Sequence, residues 1–251
     1  MNTPVNFKAV GVRAERPSAA FDMYTLYYTT RTYTTESTSL VPRIALEEIG
    51  VPYDVVEVEL QPTPPDWYLE FNPHGKIPSL EVNTSEVSTP VVVYPSAAIL
   101  FYLAESHPES SLLPRTALER AICYRGMFDM AEMLQSAYMM FFYPRRFSTD
   151  ERDADRVRSK AVEWLGEYWR RIEGNLTGND YYAGRQFTIC DIYLYVLARW
   201  YVDVHERISG EELEPFDRLR AAYADSAAVD SRPSVTRALT CDEISKITAA
   251  P

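Results

Sequence analysis

The segment Asn72-Pro-His-Gly-Lys-Ile-Pro78 contains residues that can present backbone hydrogen-bonding groups to a ligand. A proline directly after a β-branched residue at the start of a strand is unusual, because it removes one donor from the strand ladder and leaves the backbone groups of Ile77 free. If the Ile77-Pro78 bond is cis, these groups turn outward and can pair with the backbone of an extended peptide ligand. The alternative is an edge strand that a proline terminates.

A second candidate is Ser96, which opens the apolar segment Ser96 to Glu105 after Tyr94 and Pro95. Serine is a preferred helix N-cap, and the amides at a helix N-terminus attract carboxylates. The segment therefore predicts either an anion-binding helix end or a plain helix cap. Further along, Thr188-x-x-Asp191 has the form of a capping box before a long apolar helix, and we predict a structural role for it.

The first half of the chain predicts alternating strands and helices. Met23 to Tyr28 is typical of a buried strand, and the hydroxyl-rich stretch Thr29 to Ser39 predicts a loop. Leu40 to Ile49 has helical periodicity, and Gly50 supplies the stop. The remaining predicted elements are a strand over Tyr53 to Leu60, a hairpin of Ile77 to Val82 with Val91 to Tyr94, and a helix over Ser96 to Glu105.

The second half has sparse glycine and long helical periodicities, which indicate a helical bundle. Helices are predicted at roughly 117 to 143, 151 to 175, 188 to 205 and 211 to 224. For residues 1 to 22, which precede the first predicted strand, we expect a flexible extension, with an organelle-targeting segment as the alternative. An α/β domain follows over 23 to 106, then a linker over 107 to 116 and an all-α domain over 117 to 251.

Composition limits the possible functions. A chain of 251 residues that is 46% hydrophobic can bury a substantial core, which excludes disorder of the whole. Its net charge of -11 repels phosphate backbones and anionic lipids, so we expect neither nucleic acid nor a membrane as a partner. The three cysteines, Cys123, Cys190 and Cys241, are widely spaced and the histidines are scattered, so we predict no metal site and a reducing, cytoplasmic location.

Taken together, the motifs resemble soluble glutathione transferases over about residues 23 to 240. The resemblance rests on Leu26-Tyr-Tyr28, the segment Ser39 to Tyr53, the turn Asn72 to Pro78, the helix start Ser96-Ala-Ala-Ile-Leu100 and Phe187-Thr-x-x-Asp191. It implies a thioredoxin-like N-terminal domain, a helical-bundle C-terminal domain and a homodimer.

The resemblance also implies how glutathione would bind. Ile77 would pair its backbone with the cysteine of glutathione, and Lys76 would lie near the glycyl end. Ser96 and its helix end would hold the γ-glutamyl carboxylate. Pro95 departs from the family pattern, in which the position before this serine carries an acidic or amide side chain.

The catalytic group of the family lies between the first strand and the first helix, where a hydroxyl or thiol favours the thiolate form of glutathione. Residues 29 to 39 contain no cysteine, so the resemblance implies a hydroxyl-type site. The candidates are Ser37, Thr38, Ser39 and Tyr28. Each could instead be a solvated polar residue of the loop.

A hydrophobic acceptor pocket is expected from the loop after Tyr28 and the first helix of the second domain. Its candidate residues are Met130, Met133, Tyr138 and Phe141. The same spacing is what a packed core stripe would show.

The resemblance implies a transferase that activates the glutathione thiol for conjugation to a hydrophobic electrophile, or for elimination or isomerisation. The pathways that this activity would serve are detoxification or secondary metabolism. The alternative is a non-catalytic binding or scaffold protein that kept the fold, which Pro95 favours.

Overall fold

The computed structural model describes residues 5–8, 23–29, 37–60, 63–84, 88–207, 229 and 231–239. They divide into two compact units. Of the described residues, those up to Ser110 and those at 233–239 form the N-terminal unit, and those between Ser111 and Arg232 form the helical unit. The division after Ser110 falls within the stretch that was predicted as a linker.

The N-terminal unit is built on five strands, β1 (Val5–Lys8), β2 (Met23–Tyr28), β3 (Tyr53–Glu57), β4 (Ser79–Asn83) and β5 (Val91–Val93). They form one mixed sheet with the order β1-β3-β2-β4-β5. Strands β1 and β2 run parallel to β3, β4 runs antiparallel to β2, and β5 runs antiparallel to β4. The helices of this unit are α1 (Leu40–Ile49), α2 (Asp66–Phe71) and α3 (Ser96–Ser106).

The predicted flexible extension over residues 1 to 22 is wrong for four of its residues. Val5–Lys8 forms β1, which pairs in parallel with β3 in a register that places Val5 opposite Tyr53. The short alternation of Val5 and Phe7 with polar residues suits a strand at the edge of a sheet. A run of only four residues was too short to be recognised against its polar surroundings.

Helices cover both faces of the sheet. On β2, Tyr24 points to the face where its ring meets Tyr102 of α3 at a centroid separation of 6.4 Å. Tyr27 points to the opposite face and meets Phe71 of α2 at 4.3 Å. This is the alternation expected of a strand with a period of two, and it places α2 on one face of the sheet and α3 on the other.

Helix α1 follows the predicted bounds and packs against α3. It is buried from Leu40 to Glu47 and ends at Gly50, whose amide donates to the Leu46 carbonyl at 2.9 Å with a left-handed φ of 79°. The glycine stop predicted from the sequence is therefore confirmed. The residues 233–239 also form a helix, which lies against α1 although the sequence analysis assigned it to the helical domain.

The helical unit follows most of the predicted helices. Its helices are α4 (Ala117–Phe128), α5 (Gln135–Phe142), α6 (Ala154–Leu176) and α7 (Ile189–Arg207). A wider π-helical turn, Asp129–Leu134, joins α4 to α5 within the single helix predicted there. The predicted helix at 211 to 224 lies outside the described residues, and no described helix is long and apolar enough to cross a bilayer.

The capping box at Thr188 is confirmed in part. The Asp191 carboxylate accepts the Thr188 amide at 2.7 Å and the Tyr182 amide at 2.8 Å, so it closes the start of α7 as predicted. The Thr188 hydroxyl donates to the same carboxylate at 2.9 Å, and the Asp191 amide donates to the Thr188 backbone carbonyl at 3.0 Å. Asp191 is fully buried, which gives the box a structural role.

Candidate functional site

The turn before β4 has the backbone geometry on which the first binding hypothesis depended. The Ile77-Pro78 peptide bond is cis, and Pro78 is buried whereas Ile77 is half-buried. Lys76 is exposed at the surface. The structure therefore presents the backbone of Ile77 in the form that can pair with an extended peptide.

Two side chains beneath this turn fix its shape. The Asn72 carboxamide donates to the Lys76 carbonyl and to the Ser79 hydroxyl, both at 2.8 Å. The Tyr68 hydroxyl donates to the same Lys76 carbonyl at 2.7 Å and lies 2.9 Å from the Ser79 hydroxyl. Burial of Tyr68 raises its pKa, so the hydroxyl stays protonated as a donor.

The turn also requires a glycine at position 75. Gly75 has a φ of 59°, and a Cβ atom there would lie 3.0 Å from Pro64 Cγ. Its amide donates to the Asn72 carbonyl at 2.9 Å. Both the backbone conformation and the contact therefore exclude a larger side chain without a shift of Pro64.

The candidate hydroxyls lie at the start of α1, and one of them lies beside the cis-proline turn. Thr38 Oγ1 donates to the Ile77 carbonyl over a long 3.4 Å. Ser37 Oγ accepts the Ser39 amide at 3.1 Å, which fixes the tight turn before the helix. Ser39 Oγ is buried and has no hydrogen-bond partner in the part of the chain that the structure describes.

Tyr28, the fourth candidate, ends β2 and is buried. The guanidinium of Arg43 lies over its ring, with 4.8 Å between Cζ and the ring centroid. Arg43 is fully buried on α1, one helical turn after Ser39. A buried positive charge therefore lies close to the start of α1. Arg43 was not among the predicted site residues.

Helix α3 begins differently from the prediction. The expected Ser96 cap is wrong: Ser96 is the first helical residue, and the N-cap position is Pro95, which has no side-chain donor or acceptor. The Tyr94-Pro95 bond is also cis, which was not predicted. Ser96 is buried at the helix start, and the Tyr94 ring lies 5.2 Å from the His74 ring, so the two predicted binding segments are neighbours.

Most of the predicted acceptor-pocket residues belong to the protein interior. Met130 and Tyr138 have no exposed surface, and Phe141 is 4% exposed. The Tyr138 hydroxyl donates to the Leu197 carbonyl at 2.8 Å and accepts the Trp169 indole N–H at 3.1 Å. The pocket assignment is wrong for these three residues, because their helical spacing marks the packed side of the helix.

Met133 is the exception, since it is 44% exposed. It borders a cavity of about 40 Å³ on the helical unit, which is enough space for a water molecule but not for a drug-sized electrophile. Among the described residues, no group of three His, Cys, Asp or Glu side chains could hold a metal ion.

Sequence reasoning missed the roles of Tyr68 and Arg43. Tyr68 lies on α2, a short helix that was not among the predicted elements. Arg43 lies within the predicted helix α1, but its charge gave no reason to expect full burial. The proximity of Thr38 to Ile77 joins segments 39 residues apart, which no local pattern could indicate.

Comparisons with known proteins match both units. The family model for the glutathione S-transferase N-terminal domain matches residues 37–106, and that for the C-terminal domain matches residues 132–225. A zeta class glutathione S-transferase of Euphorbia esula is 31% identical over 173 residues, which are 64% of this chain and 68% of the relative. A maleylacetoacetate isomerase of Pseudomonas aeruginosa is 27% identical over 184 residues, which are 68% of this chain and 77% of the relative.

A solved structure of a sphingomonad glutathione S-transferase complexed with glutathione superposes with a TM-score of 0.65 and 26% identity, covering 87% of this chain and 98% of that chain. The predicted fold class, a thioredoxin-like domain with a helical domain, is confirmed by these matches. The names of the relatives support a glutathione transferase or isomerase activity. The chain belongs to the glutathione S-transferase family.

Proposed function

We propose that the N-terminal unit binds glutathione along the cis-proline turn and activates its thiol with a hydroxyl at the start of α1. The observation that carries this proposal is the 3.4 Å separation between Thr38 Oγ1 and the Ile77 carbonyl oxygen. It brings a hydrogen-bond donor to the backbone position at which the cysteine of an extended glutathione would pair. The sulfur of that cysteine would then lie within reach of the donor.

Three further features support glutathione as the co-substrate. Ile77 is half-buried, and its backbone amide and carbonyl would pair with the ligand's peptide group. The amides at the start of α3, with Ser96, would receive the γ-glutamyl carboxylate, since the N-terminus of a helix favours negative charge. The exposed ammonium of Lys76 would lie near the glycyl carboxylate.

Thr38 is the preferred thiolate stabiliser. Its bond to the Ile77 carbonyl is long, so the hydroxyl can turn to a bound sulfur at small cost. A donated hydrogen bond favours the charged thiolate over the thiol and lowers the pKa of the thiol. Ser39, whose buried hydroxyl has no partner among the described residues, is the second candidate. Ser37 is the third, because its oxygen accepts the Ser39 amide and its O–H can still donate.

The chemistry that follows is nucleophilic. The thiol loses its proton, and the thiolate sulfur forms a bond to an electrophilic carbon of a hydrophobic acceptor, with or without expulsion of a leaving group. If the sulfur adds to a double bond and then leaves again, the result is isomerisation. Both reactions use the same activated thiol, so the reaction depends on which acceptor binds.

The proposal is tested by titrating the thiolate absorbance of bound glutathione in the native chain and in variants. Thr38→Ala should raise the pKa of the bound thiol toward that of free glutathione and lower kcat/KM for conjugation at neutral pH by roughly 10- to 100-fold. Thr38→Ser should retain most of the effect because it keeps the hydroxyl. Thr63→Ala, which changes an exposed threonine of the same unit, is the control.

If Thr38→Ala and Ser39→Ala both leave the thiol pKa and the conjugation rate unchanged, the assignment of the thiolate stabiliser is wrong. Calorimetry with glutathione and S-alkylated glutathione separates this outcome from the alternative of a non-catalytic scaffold. Pro95, which contributes no polar side chain at the start of α3, favours that alternative. Absence of glutathione binding at millimolar ligand would support the scaffold.

The proposal also includes a homodimer and a cytoplasmic location. A homodimer follows from the resemblance to the family, and symmetric pairing is the commonest oligomeric form of soluble proteins. Sedimentation equilibrium of the full chain would decide between a monomer and a dimer. A concentration-independent monomer mass would overturn this part of the proposal.

A further inference from the structure

Two cysteines that the proposed chemistry does not use lie against each other inside the helical unit. Cys123 on α4 and Cys190 on α7 have their sulfur atoms 3.5 Å apart, and neither residue has exposed surface. The single Cys190 S–H can point to Cys123 Sγ or to the backbone carbonyl of Cys123, which lies 3.0 Å from the Cys190 sulfur. The contact joins two helices that pack together, although the residues are 67 positions apart.

The surroundings shift the pKa values of the two thiols in opposite directions. A hydrogen bond from Cys190 lowers the pKa of Cys123, with a further lowering by Thr188, while burial and the Asp191 carboxylate oppose it. Burial raises the pKa of Cys190, and both Cys123 and Asp191 raise it further. Cys123 is therefore the thiol that ionises first, and Cys190 remains its proton-carrying neighbour.

We propose that Cys123 and Cys190 form a redox modification site, at which a small hydroperoxide converts the two thiols to a disulfide that links α4 to α7. The sulfur atoms must approach from 3.5 Å to about 2 Å, which side-chain rotation and a small helix shift can provide. The oxidant must be small and uncharged, because both thiols are buried. This inference does not depend on the proposed glutathione site.

The reaction balances in two steps. The Cys123 thiolate attacks one oxygen of the hydroperoxide, the O–O bond breaks, and a sulfenic acid forms with release of water or an alcohol. The Cys190 thiol then attacks the sulfenic sulfur, the S–S bond forms, and a second water leaves with the Cys190 proton. Overall the two thiols lose two electrons and two protons, and the peroxide is reduced.

The test treats the full native chain with hydrogen peroxide, blocks the remaining thiols in denaturant, and digests the chain with trypsin without reduction. Cleavage after arginine places Cys123 in the peptide Ala121 to Arg125 and Cys190 in the peptide Gln186 to Arg199. We expect these two peptides to be linked, with a mass two hydrogens below their sum, and to separate on reduction. The oxidised chain should also melt at a temperature higher by roughly 5 °C.

Cys241, which lies outside the described residues, is the competing thiol, so Cys241→Ser is the matched variant that should leave the link intact. Cys190→Ser should abolish the link and leave Cys123 to be trapped as a sulfenic acid by a dimedone probe. The mapping on the native chain does not depend on whether the variants fold. If Cys123 and Cys190 both stay alkylatable after peroxide, or if they link only to Cys241, the proposal is overturned.

Discussion

The Asn72 carboxamide donates to the Lys76 carbonyl at 2.8 Å, four residues along the chain and one residue before Ile77. Asn72 is 1% exposed, so water cannot replace this bond without a local opening. The same side chain donates to Ser79 on the far side of the cis bond and accepts the His74 amide at 3.1 Å. One buried amide therefore holds both ends of the turn that presents Ile77.

Asn72→Ala should weaken glutathione binding by roughly tenfold and destabilise the fold by about 2 kcal/mol, because the Lys76 carbonyl loses one of its donors and the turn loses its brace. Calorimetry and urea unfolding measure the two effects. Tyr68→Phe removes a single hydroxyl from the same network and should have the smaller effect on both. Asn179→Ala, which removes an exposed amide in the helical unit, is the control and should change neither. Unchanged affinity in Asn72→Ala would mean that the turn does not set the glutathione site.

Local chemistry was enough to predict parts of this site. The stop of α1 was predicted from Gly50 and is confirmed. The cis bond between Ile77 and Pro78 was stated only as the condition for the first binding hypothesis, and the structure fulfils that condition. Both features depend on the backbone preferences of one or two residues, which is why the sequence could point to them.

Features that depend on packing could not be predicted in the same way. Methionine and aromatic residues at helical spacing can line a pocket or pack in a core, and the sequence pattern is the same in both cases. The buried hydrogen bonds of Tyr138 show that its side chain belongs to the core. The cap of α3 was predicted one residue late, at Ser96, because serine is a preferred cap, whereas the structure has Pro95 at the N-cap position. The contact of Thr38 with Ile77 arises from the fold as a whole.

Arg237 and Glu47 join the last described helix to α1. The carboxylate of Glu47 is almost fully buried and accepts Arg237 Nε at 2.6 Å and the Tyr53 hydroxyl at 2.9 Å. Arg237→Ala leaves this buried charge with fewer donors, so the free energy of unfolding should fall by about 2 kcal/mol. This loss is smaller than that expected for a fully buried ion pair, because the Arg237 side chain is 35% exposed. Urea unfolding measures the loss.

Arg156→Ala is the matched control for Arg237. It breaks an ion pair with Asp153 in which the Arg156 side chain is 86% exposed, and pairs of this kind contribute little to stability, typically below about 1 kcal/mol. An equal loss in the two variants would show that burial of Glu47 does not decide the cost.

Asp191 should be one of the most sensitive positions of the helical unit. Asp191→Ala leaves the buried amides of Thr188 and Tyr182 without their acceptor, which should cost about 3 kcal/mol or more of unfolding free energy. Asp180→Ala, in the exposed turn before α7, should change the stability by less than about 0.5 kcal/mol. Thermal and urea unfolding that failed to separate the two variants would contradict the structural role of the box.

Gly126 on α4 lies so close to Tyr182 that a Cβ atom would be 2.1 Å from the ring carbon Cε1. Tyr182 is 3% exposed and its hydroxyl accepts the Asn175 side-chain amide at 3.2 Å, so moving the ring away from a Cβ atom at position 126 would break this buried contact. Gly126→Ala should therefore destabilise the fold by about 2 to 4 kcal/mol through overpacking, despite the higher helix propensity of alanine.

Gly174 on α6 provides the opposite case. A Cβ atom there meets nothing within 4 Å, so Gly174→Ala should stabilise the chain by up to about 1 kcal/mol through helix propensity alone. Urea unfolding of both variants gives the comparison under the same conditions. A destabilisation of the same size in both would mean that the cost at Gly126 does not come from contact with Tyr182. A lower unfolding free energy in Gly126→Ala and a higher one in Gly174→Ala would support the conclusion that this contact sets the spacing of α4 from the loop that carries Tyr182.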